Sequence, residues 1–380
     1  MKARYSKQDG LSLIELLIST VIGLALISGV VTVFAGNKRS SDLNTAMANI
    51  QENARFALDK IANDIRMSGF QGCVDINRSP ANILAASSPT ANFYETAAQA
   101  SVIGAANAWT PSPALGFKTE NHDALPGTHA LTLQFGNPST FPLTKVVGTG
   151  VLANRTGPIT VNISAGVSSR PFDLKKDDYA IISDCQFADI FKVSGVAKTP
   201  TIAVLDHSAP DNVSGALTTE YGSADTLSVT KLMRFVSNVY YVANTGIKND
   251  HGDDIPALYQ QSLPYGDITN NPPTELVRGI ENLRISFGLR TQADTLTYVL
   301  PGDSRFDATQ VETIRIGLLM VSYDPITSSN DANTYVLAGQ EITPKTSGSN
   351  TSTSVHAADK RYRLAFNTTI KVRNRRSPDS

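Results

Sequence analysis

Residues 1–34 read MKARYSKQDGLSLIELLISTVIGLALISGVVTVF, and this stretch sets the architecture of everything after it. A short leader carries Lys2, Arg4 and Lys7 and ends at Gly10. From Leu11 to Phe34 the chain runs 24 residues with a single charge, Glu15. As a helix that run would be roughly 36 Å long at ~1.5 Å per residue, enough to cross a hydrocarbon core of about 30 Å. Basic residues ahead of such a segment favour a cytoplasmic N-terminus. An ordinary secretory signal has its small-residue cleavage site after the apolar run; here Gly10 stands before it. Cleavage after Gly10 would remove the leader, residues 1–10, and keep the apolar helix. A carboxylate five residues into that helix is costly in lipid, so Glu15 either finds a partner or snorkels to the interface.

The helical pattern continues past the membrane-length run. Leu43, Met47, Ile50, Ala54, Ala57 with Leu58, Ile61 and Ile65 recur at steps of three and four, the spacing of one helix face. Asp42, Asn49, Glu52, Arg55, Asp59 and Asp64 take the other faces, and Gly69 stands where a C′ glycine would end the helix. The reading is one helix from residue 11 to about 67. Residues 11–34 form its transmembrane part, and residues 35–69 hold its amphipathic continuation.

Beyond Phe70 the chain is rich in Ser, Thr, Asn, Gly and Pro with short alternating runs. The cleanest, 361–373, puts Tyr362, Leu364, Phe366, Ile370 and Val372 on one face and Arg361, Arg363, Lys371 and Arg373 on the other. Runs at 128–135, 159–163, 179–193, 201–205, 227–233, 236–242, 283–289 and 311–322 have the same character. Period two with one apolar face means half-buried antiparallel strands. Long loops are expected near 75–127, 244–275 and 324–359. The fold class is α+β: a long N-terminal helix, then an antiparallel β-sheet head over residues 70–380 with long loop insertions.

The bulk numbers exclude little but are consistent. Of the 380 residues 41 % are hydrophobic and 18 % charged, with a net charge of −1, which becomes 30 − 33 = −3 without the leader. That is no footprint for nucleic acid, and the only basic cluster, Arg373, Arg375 and Arg376, reads as a solvated end. The two cysteines, Cys73 and Cys185, can form one disulfide in an exported chain or remain two free thiols.

G-L-S-L-I-E-L-L at 10–17 resembles the class III signal of type IV pilins and pseudopilins. The resemblance implies that a prepilin peptidase cuts between Gly10 and Leu11, that Leu11 is then N-methylated, and that Glu15 pairs with the terminal cation of a neighbouring subunit. This chain has Leu11 where most members carry Phe, and no proline falls within residues 1–79. The strings R-M-S-G-F-Q-G-C at 66–73, S-D-C-Q at 183–186 in a strand, L-V-R-G-I-E-N-L-R-I-S-F-G at 276–288 and V-R-N-R at 372–375 resemble the PilW-type minor pilins. Those share their layout with J-type pseudopilins of type II secretion. The matching cysteines imply a Cys73–Cys185 disulfide.

The family reading implies a non-enzymatic minor pilin that primes or enters a type IV pilus, serving twitching motility, adhesion or DNA uptake. Its partners would be the prepilin peptidase, other minor pilins, the major pilin, the inner-membrane assembly platform and a tip adhesin. It would sit in the inner membrane with its head in the periplasm, then on the cell surface. Two other roles stay open: a J-type secretion pseudopilin, and a tethered adhesin or receptor using loops 75–127 and 244–275.

Motifs for other chemistry fail. Gly148-Thr149-Gly150 with Ala153 mimics a dinucleotide-binding turn, but Gly157-Pro158 breaks the helix that must follow. The chain has no G-x-S-x-G, H-E-x-x-H or P-loop, its five histidines are scattered, and no cofactor is expected. His129, on the apolar face of a strand, reads as a satisfied core or edge histidine. Asp250, Asp253 and Asp254 could offer oxygens to Ca²⁺, yet they lack EF-hand spacing, and a solvated turn explains them more simply.

Overall fold

A computed structural model describes residues 12–85, 93–113, 115–145, 151–166, 171–223, 225–265, 269, 271–290, 295–345 and 355–374. Leu13–Met67 form one helix that runs unbroken through Gly23, Gly29 and Gly36. The chain divides into two compact units, Met1–Asn49 and Ile50–Ser380. In the first, the apolar side chains are exposed from Leu13, at 78 %, to Phe34, at 70 %. The helix is long and apolar enough to cross a membrane, and none of that apolar window is buried.

In the second unit the helix buries one face: Ile50, Ala54, Ala57, Ile61, Ala62 and Ile65. The alanines let the helix backbone lie close to the sheet, and each buried isoleucine contributes about 1.5–3 kcal/mol. These residues share a core with Leu131, Leu133, Tyr240 and Val242 of one sheet and with Leu283, Ile285, Ile316 and Leu318 of another.

Among the described residues the first sheet has nine strands. Its order is Asn82–Ile83, Ala188–Lys192, Tyr179–Ser183, Lys231–Lys248, His129–Phe141, Ala98–Ile103 and Trp109–Thr110, with Asp254–Ser262 also paired to Lys231–Lys248 and Thr274–Arg278 paired to Asp254–Ser262. All pairs are antiparallel except Asn82–Ile83 with Ala188–Lys192. The second sheet, fully antiparallel, runs Leu296–Val299, Ile280–Arg290, Val311–Pro325, Arg361–Lys371. Among the described residues the head also has two three-stranded sheets.

Gly279 is where the chain passes from one large sheet to the other. Its N–H donates to Pro256 C=O at 2.7 Å and its C=O accepts from Val321 N–H at 2.8 Å. It sits at φ +80°, and a Cβ there would meet Val321 O at 2.8 Å. Only glycine meets both conditions without strain.

Three expectations are corrected. The segment 244–275 carries strand over about half its length, because Lys231–Lys248 turns back as Asp254–Ser262 through a tight hairpin. Its strand ends are polar, so no apolar alternation marks them. The segment 324–359 carries Tyr335–Leu337, Gln340–Pro344 and Val355–His356. Cys185 lies in a turn, not in a strand, at φ +69°, where Asp184 Oδ1 accepts from the amides of Gln186 and Phe187.

From that turn Cys185 is bonded to Cys73, with Cα atoms 4.7 Å apart and a sequence separation of 112. The cysteines are therefore paired, not free thiols. Closing so long a loop stabilises the fold by ~4–5 kcal/mol in the chain-entropy model.

Candidate functional site

Glu15 lies in the first turn of the helix and is exposed. Its carbonyl accepts a hydrogen bond from Ser19 Oγ at 2.7 Å, and its carboxylate projects from an apolar surface. Gly10 and Leu11 lie outside the described residues. The exposed apolar helix with one acid near its start is the first functional element, and its chemistry suits lipid or like helices.

The second element is the seat that fixes the helix to the head. Asp64 reads from sequence as a residue of the polar face, yet it is only 3 % exposed. Its Oδ2 accepts from Asn238 Nδ2 at 2.7 Å and from Tyr240 Oη at 2.5 Å, both on the strand Lys231–Lys248. Lys60 Nζ reaches the same oxygen at 3.6 Å from the more open side. Burial, and then the Asp64 charge, push the Tyr240 phenol far above its usual range, so it stays a donor. A buried carboxylate with two donors satisfies its lone pairs and specifies the helix rotation, since a turn of the helix would leave all three groups unpaired.

The string at 66–73 forms the joint below that seat. Ser68 Oγ donates to Ile65 C=O at 2.9 Å. Gly69, at φ +77°, ends the helix as expected, and its N–H donates to Gln134 C=O at 2.9 Å. Gln71 Oε1 accepts from Ala81 N–H at 2.8 Å and its Nε2 donates to Ser79 C=O at 2.7 Å, shaping the loop that carries Cys73. From the far end of the chain, Asn374 Nδ2 lies 3.1–3.2 Å from the C=O groups of Arg66, Met67 and Ser68. It satisfies carbonyls that a helix C-terminus leaves without intrahelical partners. Nothing local in the sequence signals this role.

The string at 276–288 builds the other half of the head. Glu281 Oε2 accepts from Arg363 Nε at 2.7 Å, and Arg363 Nη1 lies 2.8 Å from Asp359 and 3.5 Å from Asp331. The Arg363 side chain is fully buried. Burial alone would lower its guanidinium; the Glu281 and Asp359 carboxylates outweigh that and hold it above its usual value. A buried cation so surrounded is a structural lock between the strands Ile280–Arg290 and Arg361–Lys371.

His129 is buried, with Nδ1 accepting from Ile285 N–H at 3.1 Å and Nε2 3.2 Å from Arg284 Nη1. Burial, reinforced by the Arg284 charge, pushes it down to about 3, so the ring is neutral. It is a core histidine joining the two large sheets. The acidic loop does not collect its carboxylates. Asn249 Oδ1 accepts from the amides of His251 and Asp253, Asn249 Nδ2 donates to Asp253 Oδ2, and Asp254 pairs with Lys248 at 2.9 Å. Among the described residues no three His, Cys, Asp or Glu side chains could hold a metal ion. Asp250 and Asp253 lie in the hairpin turn, and Asp254 opens the strand Asp254–Ser262. Of the Gly148–Gly150 turn, nothing lies within the described residues before residue 151.

The apolar helix continues into a helix bound to the head, and an antiparallel β-rich domain follows it in the chain. Residues 239–374 match the family model of the type IV pilus-assembly protein W, PilW. The PilW resemblance read from the sequence is thus borne out over the region that carries Gly279, Glu281, Arg363 and Asn374. Among solved structures it is similar to a type IV-like pilin from Thermus thermophilus, at 14 % identity and a TM-score of 0.18, over 37 % of this chain and 78 % of that one. A likeness that slight adds nothing to the family match. Comparison with curated proteins gives no match.

Proposed function

We propose that the protein is a minor pilin with a structural, non-enzymatic role in building a type IV pilus. Residues 1–10 are a leader removed by a prepilin peptidase, and Leu11 becomes the methylated N-terminus. Residues 11–34 hold the subunit in the inner membrane, 35–69 continue the helix, and 70–380 form a periplasmic head that reaches the surface with the pilus. The observation that carries this reading is the pairing of an exposed apolar helix bearing one early acid with a PilW-matching head.

Glu15 supplies the assembly chemistry. Cleavage leaves an amino cation on Leu11, four residues from the Glu15 carboxylate. Each charge is costly alone in lipid and much less so when paired, so subunits gain by matching the cation of one to the acid of the next. The bulk of a head of some 310 residues, 70–380, suits a low-copy place at the tip or in an initiation complex with other minor pilins, the major pilin and the assembly platform. Twitching, adhesion and DNA uptake would follow from the pilus rather than from this subunit.

A complementation assay tests the proposal. A strain lacking the protein should lose surface pili. The wild-type gene should restore them, and Glu15→Ala should be processed yet fail to restore them. Full piliation with Glu15→Ala would remove the pairing mechanism. Loss of protein secretion with normal pili would reassign the chain to a secretion pseudopilus.

A further inference from the structure

The second large sheet ends on a long strand that pairs on one side only. Arg361–Lys371 stands at its edge, 11 residues long, bonded to Val311–Pro325. Among the described residues the other edge strands of the two large sheets are short. Leu296–Val299 has 4 residues, Thr274–Arg278 has 5, and Asn82–Ile83 and Trp109–Thr110 have 2 each. From Arg363 to Lys371 the pairing has no bulge and the strand holds no proline. Shortness, bulges and prolines are what keep a sheet edge from taking up another chain, and this edge has none of them.

The register shows which backbone groups are left over. Val372 N–H donates to Glu312 C=O. In an antiparallel ladder of that phase, residues 364, 366, 368 and 370 bond to Val311–Pro325, while Ala365, Asn367, Thr369 and Lys371 turn their N–H and C=O groups outward. All four residues are exposed. The strand Tyr335–Leu337 crosses the sheet face at Asn367, held by its side-chain amide, but its ladder is with Gln340–Pro344 and not with this edge. On the opposite face Tyr362, Leu364 and Phe366 pack on the core and are only partly buried. Unpaired backbone groups beside a row of half-covered apolar side chains are what one added strand completes.

Charge says what that strand carries. Residues 361–373 hold Arg361, Arg363, Lys371 and Arg373 and no acid, so two copies of this edge would meet with like charge. Arg361 and Arg363 are already answered, by Asp359 and Glu281. At the other end Glu312 is shared by Arg290, at 2.5 Å, and Lys371, at 3.1 Å. Arg373 is exposed beside them, so positive charge is in excess there. We propose that Arg361–Lys371 receives an extended segment of a different protein, added antiparallel, with apolar residues at alternate positions and acidic residues at the end that meets Lys371 and Arg373.

Fluorescence polarisation with the full chain in detergent tests this, using a labelled, blocked nonapeptide. It has Val at every even position, Glu at the first and third, and Thr at the remaining odd ones. Antiparallel addition places its Glu end by Lys371 and Arg373. It should bind about tenfold more tightly than the same peptide with Lys for Glu, or than one N-methylated throughout. Hydrogen exchange over 365–371 should slow in the complex. Thr369→Pro removes an outward N–H and spares the ladder to Val311–Pro325, so it should cut the affinity about tenfold and keep a cooperative thermal transition. Lys371→Glu, at an exposed site, should erase the preference for Glu over Lys peptides. The proposal is overturned by absent binding at millimolar peptide, by equal binding of the N-methylated or Lys peptide, or by undiminished binding to Thr369→Pro together with an unchanged preference in Lys371→Glu. A dimer of the chain that Thr369→Pro dissolves would assign the edge to a second copy and overturn it. Binding that appears only after residues beyond Asn374 are removed would assign the edge to the chain's own end and overturn it too. The titration reads the edge itself, so its result does not turn on whether the chain enters a pilus.

Discussion

Replacing Asp64 by Ala should destabilise the head strongly although the substitution removes no apolar surface. The substitution removes one carboxylate oxygen that receives both Asn238 Nδ2 and Tyr240 Oη. All three residues are under 5 % exposed, so water does not readily replace the lost acceptor. Each stranded buried donor costs about 1–3 kcal/mol, which places the loss near 2–5 kcal/mol after some relaxation. Tyr240→Phe removes one donor and leaves the carboxylate bonded to Asn238, so it should cost about 0.5–1.5 kcal/mol. In the double variant one of the two stranded donors no longer exists. Its loss should therefore fall short of the sum of the singles by at least ~1 kcal/mol. The chain has one tryptophan, Trp109, buried on the opposite face of the large sheet, so guanidinium denaturation of the full chain in detergent can be followed by its fluorescence. A loss below about 0.5 kcal/mol for Asp64→Ala, or strict additivity with Tyr240→Phe, would refute the claim that this triad fixes the helix on the sheet.

Two further outcomes follow from the head. Gly279→Ala puts a Cβ against Val321 O at a positive φ, and denaturation midpoints should report a loss of about 1–3 kcal/mol. The buried histidines set the acid side of the stability profile. His129 is pushed down to about 3 from 6.5, and His122 is also lowered, mainly by burial. Below pH 6.5 the unfolded chain takes up protons that the folded chain refuses, so stability falls as pH falls. Between pH 6.5 and 4.5, before most carboxylates titrate, His129 should contribute up to about 1.4 kcal/mol per pH unit, and His122 acts in the same direction. Stability from urea denaturation across that window should fall less steeply with falling pH in His129→Gln; an unchanged slope would contradict the burial argument.

The long helix was legible because two periodic signals agree: an unbroken apolar run to Phe34, then apolar residues at three- and four-residue steps to Ile65. Its end was legible too, since Gly69 does take the left-handed conformation. Asp64 was misplaced for a physical reason. Its polarity puts it on the solvent face of a helical wheel, and only the arrival of Asn238 and Tyr240 from 174 and 176 positions away makes its burial affordable. Asn374 is the same case at greater distance, a cap delivered from 306–308 positions away. Strand pairing in 244–275 escaped notice because that hairpin is specified by the turn around Asn249 and by its pairing with Lys231–Lys248, not by alternation.

The central claim is that the chain is a prepilin whose leader is lost and whose apolar helix is kept. Intact mass of the protein purified from membranes of its own host tests it most directly. The account predicts a mass short by residues 1–10, raised by one methyl group and lowered by the two hydrogens of the Cys73–Cys185 disulfide. A full-length mass, or a mass that has lost the apolar run through Phe34, would contradict it.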